Sequence, residues 1–306
     1  MAMTYLPGGT SMKKQMLRGY LFAILSAVIY GCMPLMAKHI YDDGVSAMTL
    51  VFLGNILALP SLIFLAYRKH KTLKIPIKVL PHSGLISLIG CCITPTMLFS
   101  SYNYLASGTA TVFHFIYPSI VVLAGILFLK KKAQMGTLIS VALCFAGICL
   151  FYQPGESLNL TGSVLALCSG CTFATYVVML SNFRHGEVSG FLFSFYTASC
   201  VSVIMFFVCL LTGQLALPAT LTGWGLCFLF ASVVTTGALV LSQQATFTIG
   251  GEKTSILSTL EPITSIVIGI VIFGEPVSVR VLIGSVLVIA ASVLIAFFDL
   301  KKAQNT

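Results

Sequence analysis

Apolar runs of membrane-crossing length follow one another along the whole chain, and they leave little room for anything else. A hydrocarbon core of about 30 Å takes about 20 apolar residues in a helix, and such runs recur from Tyr20 to beyond Leu287 with short polar breaks between them. About ten are placed by this criterion, centred near Val28, Ile56, Thr94, Val121, Leu143, Cys171, Val203, Thr235, Val267 and Leu287. Composition agrees: of 306 residues, 58% are hydrophobic and 8% charged, with a mean hydropathy of +1.01, whereas a water-soluble domain carries roughly a quarter charged residues. The predicted class is an all-α integral membrane protein. Its longest polar connection, from about Tyr67 to His82, is basic and proline-punctuated and lacks the glycine-rich loop that would cradle ATP phosphates.

The second constraint is a repeat. Ala106 to Tyr152 lays without gaps on Gly250 to Ala296, aligning Pro118 with Pro262, Gly125 with Gly269, Leu138 and Ile139 with Leu282 and Ile283, and Ala146 with Ala290. In the first helix of each half, Gly19, Ala23 and Ser26 fall opposite Gly162, Ala166 and Ser169. Five crossings per half is an odd number, so the second copy enters the membrane from the opposite side. The expectation is two inverted five-helix repeats about an axis in the membrane plane, an arrangement that builds substrate pathways near the bilayer midplane. The expected organisation is a cytoplasmic N-terminal segment (1–16), a first repeat (17–152), a connecting turn around Gln153 to Glu156 (153–160), a second repeat (161–298) and a cytoplasmic tail (299–306).

The net charge of +9 follows topology rather than an acidic partner. With an even helix count, Lys13, Lys14, Arg18, the cluster from Arg68 to Lys78, Lys130 to Lys132, Arg184, Lys253, Lys301 and Lys302 fall on one side, and Lys38 and Arg280 on the other. That is the positive-inside pattern, with both termini cytoplasmic in a plasma or inner membrane. No nucleic acid is implied. The apolar stretch from Tyr20 to Ala37 is too long for a signal-peptide core and no small-x-small site follows it. All ten cysteines lie in predicted helices, and the CxxC of Cys168 and Cys171 reads as small apolar packing.

The segments YNYLASGTATVFHFIYPSIVVLAGILFLKK and TSILSTLEPITSIVIGIVIFGEPVS, with the final helix of each half, resemble the EamA-type branch of the drug/metabolite transporter (DMT) superfamily. The resemblance spans nearly the whole chain and implies ten helices, two inverted repeats and a central cavity worked by alternating access. Two positions depart from the pattern. Tyr30 stands where the family commonly has a first-helix tryptophan, which alters the cavity wall, and Lys130 and Lys131 replace a Gly-Glu pair that the second half keeps as Gly274 and Glu275.

Glu261 is the leading site candidate, because a carboxylate inside a membrane helix is costly and marks a pathway or proton site. It precedes Pro262, which removes a backbone donor and loosens the helix, and it continues a polar stripe of Thr254, Ser258 and Ser265 at helical spacing. Burial favours the neutral form of a carboxyl, so Glu261 is either a coupling-proton site or the ligand of a cationic group; a packing role, with Glu261 bonded to a hydroxyl, is the plain alternative. The repeat register sets His114 opposite Ser258 and Tyr117 opposite Glu261, bringing these faces to one central space. Imidazole titrates near neutrality, which makes His114 a second candidate beside a structural reading. Tyr102 and Asn103, with Gln243 and Gln244, supply further donors and acceptors at matching depth, though neighbours on one helix cannot all face inward. Tyr176, Asn55 and Tyr196 are weaker candidates, and Tyr41, Tyr67, Tyr152 and Trp224 read as interfacial anchors.

The function expected is a secondary transporter, by the family's habit an exporter, of a small polar, zwitterionic, cationic or amphipathic metabolite. It needs no cofactor, with a proton as the candidate coupling ion, and its partners are the bilayer and a small-molecule substrate; the oligomeric state is left open, a monomer among the options. A facilitative uniporter or uptake carrier is the alternative. An intramembrane enzyme finds no activated nucleophile or metal spacing here, and a channel finds no filter ring.

Overall fold

The structure, a computed structural model, describes residues 9–70, 73–74, 79–105, 107–128, 135–150, 159–183, 190–273 and 279–302. Among these the chain forms ten helical rods: α1 (Gly9–Gly31 continued by Met33–Asp42), α2 (Ala47–Ile56 and Leu59–His70), α3 (Leu80–Ser87, a π-helical Leu88–Ile93, then Thr94–Ser101), α4 (Ser107–His114 and Tyr117–Leu127), α5 (Met135–Cys149), α6 (Leu160–Ser181), α7 (Gly190–Thr212), α8 (Leu221–Phe230, a π-helical Ala231–Ala238, then Leu239–Ile249), α9 (Gly251–Leu257 and Leu260–Phe273) and α10 (Val279–Lys302). Six stretches are each long and apolar enough to cross a membrane, and α4, α5 and α10 carry shorter apolar helices. Large apolar side chains such as Leu127, Phe128, Leu211, Leu221 and Val271 stand exposed on the outside of the bundle, as lipid-facing residues do.

The rods pack as an inverted repeat requires. In the first half α1 lies along α8 and α9 of the second; in the second half α6 lies along α3 and α4 of the first. Two of the contacts map onto themselves, α2 on α7 and α5 on α10. Small residues permit these approaches, since without a hydrophobic driving force in lipid helices associate through close backbone packing. Ala23 and Ala27 of α1 are fully buried, and so is Ala166 of α6. On α5, a Cβ added to Gly147 would lie 2.7 Å from the Gly284 carbonyl of α10.

Six rods are interrupted near their middles. Proline accounts for most of the breaks: Pro34, Pro95 and Pro118 each sit at the start of the segment after a break, where their missing N–H costs no helix bond. At Pro262 the cause is visible, because the Ser258 carbonyl that would accept its N–H accepts from Glu261 N instead, at 2.9 Å. The breaks of α4 and α9, and the π-helical turns of α3 and α8, occupy corresponding places in the two halves.

Candidate functional site

The breaks converge on a cavity of about 900 Å³, counted to its open mouth and walled by α1, α2, α3, α4, α6, α8 and α9. Every interrupted rod contributes to the wall; of the continuous ones, among the described residues, only α6 does. Glu261 enters from the first turn after the α9 break and Tyr117 from the matching turn of α4, with Ser258 and His114 on the near sides of the two breaks. The Tyr117 hydroxyl is in hydrogen-bonding reach of Ser258, and the Glu261 carboxyl lies within electrostatic reach of the Tyr30, Tyr102 and Tyr117 hydroxyls.

His114 is held in one orientation. Its Nδ1 lies 2.8 Å from Ser169 Oγ, whose hydroxyl also bonds the Ala166 carbonyl at 2.7 Å. The ring packs against Tyr117 and Phe173, at centroid distances of 5.3 and 5.4 Å, and Tyr117 meets Phe173 edge-on at 4.7 Å.

Tyr176 is positioned from behind. Gln243, fully buried, donates from Nε2 to the Tyr176 hydroxyl at 3.2 Å and accepts at Oε1 from Ser194 of α7. Gly90, in the π-helical turn of α3, is where the Tyr176 ring sits, and any Cβ there would collide with it. Across the cavity Asn55 of α2 is buried to 7% exposure. Its Nδ2 donates to the Val51 carbonyl at 2.8 Å, which fixes the amide and leaves Oδ1 without a partner.

Of the candidates read from the sequence, Glu261, His114, Tyr117, Ser258, Tyr30, Tyr176 and Asn55 line this cavity. Tyr102, Asn103, Gln243 and Gln244 stand outside its wall. Asn103 is exposed beyond the end of α3, and Tyr102 follows that helix with its ring on Phe99 at 6.1 Å. Gln243 acts from the layer behind, and Gln244 is turned onto Gly190 of α7. Of the serine and threonine stripe, Thr254 and Ser258 bond back to carbonyls of their own helix; the Ser265 side chain lies outside the described residues, as do Tyr152, Lys130, Lys131, Gly274 and Glu275. Tyr196 bonds the Leu73 carbonyl at 2.8 Å. Tyr41, read as an interfacial anchor, instead has its hydroxyl buried. Phe99, Phe173 and Phe230 were not legible as wall residues, because in so apolar a sequence a phenylalanine at the cavity looks like one in the core.

The sequence signature of the EamA-like transporter family matches residues 17–153 and again 160–297. An uncharacterized transporter of Clostridium kluyveri is 26% identical over 95% of this chain and 98% of its own length. One from Archaeoglobus fulgidus is 23% identical over 90% and 94%. A solved crystal structure superposes with a TM-score of 0.75 at 14% identity, covering 92% of this chain and 96% of the other, which bears on the fold alone.

Proposed function

Because this chain belongs to the EamA-like transporter family over both its halves, and is thereby a multi-pass membrane transporter, we propose that it is a secondary carrier that takes a small metabolite through the central cavity by alternating access. The observation that supports this best is Glu261, the carboxyl in the cavity wall, placed beside the break of α9. A group that must bind and release does so most readily where a helix can bend, and six of the seven wall rods are interrupted there. Charge asymmetry favours cytoplasmic termini in a plasma or inner membrane. Export is the direction we assign, with the proton as coupling ion at Glu261; facilitated transport is the alternative.

Proteoliposomes separate these readings. A carrier shows saturable flux and counterflow, whereas ohmic current without counterflow would point to a channel. Glu261→Gln is expected to cut flux by at least about tenfold, as loss of a hydrogen bond to a charged group does, and to flatten the dependence of flux on pH. Normal, equally pH-dependent flux in this variant would remove Glu261 from both roles.

A further inference from the structure

The geometry points to a protonated organic amine with an aromatic or apolar body as the occupant of the cavity, its N–H groups read by Asn55 and its charge by Glu261. This rests on the carrier reading and narrows it.

Two groups of the wall offer acceptors, beside hydroxyls that both donate and accept. Asn55 Oδ1 is a buried acceptor with its lone pairs unused, and its amide cannot turn over without breaking the bond from Nδ2 to Val51. Glu261 accepts when ionised. Among the described wall residues no lysine or arginine stands ready for an anion. A buried acceptor left unmatched is costly, so the ligand that fits brings hydrogens to this wall. A cation suits it further, because aromatic rings attract positive charge and Tyr30, Phe99, Tyr117, Phe173, Tyr176 and Phe230 stand around the space. The apolar remainder of the wall, Leu50, Leu98 and Val234 among it, has no use for a hydrophilic body. A carboxylate on the ligand would face Glu261 with nothing to balance it, which disfavours amino acids carrying both charges.

Asn55 carries the sharper consequence. A quaternary ammonium has the charge but no N–H, so it satisfies Glu261 and the rings while leaving Oδ1 unpartnered.

The test measures equilibrium binding to the purified full chain with four probes of nearly one shape: 2-phenylethylammonium, its N,N,N-trimethyl derivative, the neutral 3-phenylpropan-1-ol, and phenylalanine. Phenylethylammonium is expected to bind tightest, with the trimethyl derivative weaker by about tenfold, the size of one hydrogen bond to a charged group. Asn55→Ala should abolish that ratio while leaving the trimethyl affinity in place, and Glu261→Gln should weaken both cations. Asn55→Asp, which keeps an acceptor, should retain the preference and serves if the alanine variant misfolds. Tighter binding of phenylalanine or of the neutral alcohol, an unchanged ratio in Asn55→Ala, or no saturable binding of phenylethylammonium would each overturn the assignment. Flux measurements keep the two readings apart. A chain that binds phenylethylammonium in proteoliposomes but moves none of it loses the carrier reading and keeps the amine site; one that moves another solute through Glu261 while refusing both cations loses the amine site alone.

Discussion

Gly90 and Gly84 stand six positions apart in α3 and ask opposite things of an added methyl. At Gly84 nothing lies within 4 Å of a new Cβ, whereas at Gly90 it would occupy the ring of Tyr176. Gly84→Ala is expected to raise thermal stability by up to about 1 kcal/mol, because the chain loses less backbone freedom on folding. Gly90→Ala should cost roughly 1–3 kcal/mol through overpacking and also weaken ligand binding, since the displaced ring parts from Gln243. Thermal unfolding with a binding measurement on both variants checks this; equal behaviour would mean that Tyr176 has room to move. No sequence reading separates the two glycines. Glu261 and His114 were legible because titratable groups stand out in apolar helices, but the orientation of the His114 ring depends on Ser169, which is remote in sequence and adjacent only in space.

At the scale of elements, the breaks decide where the wall residues point. Pro118 and Pro262 occupy one register position in two copies, and the interruptions follow that register to within a residue: the second segment of α4 opens at Tyr117 and that of α9 at Leu260. Restoring an N–H by Pro262→Ala would let the Ser258 carbonyl take its ordinary i+4 partner and straighten α9 beneath Glu261. The expected outcome is an unfolding temperature equal to or above that of the parent, since an interior proline costs a helix about 3 kcal/mol, together with a fall in the maximal rate of counterflow. An unchanged rate would mean that the bend plays no part in turnover. The sequence pointed to a loosened helix at Pro262, but the π-helical turn Ala231–Ala238 of α8 contains no proline and carries no comparable signal.

Across the whole molecule the halves interlock, and one end of the bundle is tied by Asp43. Its carboxylate follows α1, accepts from the Thr220 hydroxyl at 2.8 Å and from Thr220 N at 3.1 Å, and so braces the residue that caps α8, whose Oγ1 in turn accepts from Gly223 N at 3.0 Å. Thr220, through its hydroxyl and then its amide, holds the Asp43 carboxyl below the ordinary aspartate range. A depressed carboxyl stabilises the fold above its ordinary value and loses that contribution only as pH falls through the lowered one. The difference in unfolding temperature between the parent and Asp43→Ala should therefore hold from neutral pH down to mildly acid pH and close only below about pH 4. A difference that vanished by about pH 5, more than a unit above that range, would mean the tie is weaker than its geometry.

By itself the sequence determined the solvent, the helix count and the inverted duplication, because each follows from properties that act locally or repeat at fixed spacing: run length against bilayer thickness, proline against the helix ladder, and parity of crossings. It also named most of the polar residues that meet at the centre. Only the tertiary structure decided which face each rod turns inward. Tyr102 and Asn103 fall just past the end of α3, Gln243 bonds to α6 and α7 and Gln244 packs on α7, so all four act outside the wall, and Asn55 becomes the unsatisfied acceptor because Val51 holds its other end. In a chain apolar on nearly every face, hydropathy cannot distinguish lipid from core from cavity, so packing between segments far apart in sequence makes that choice.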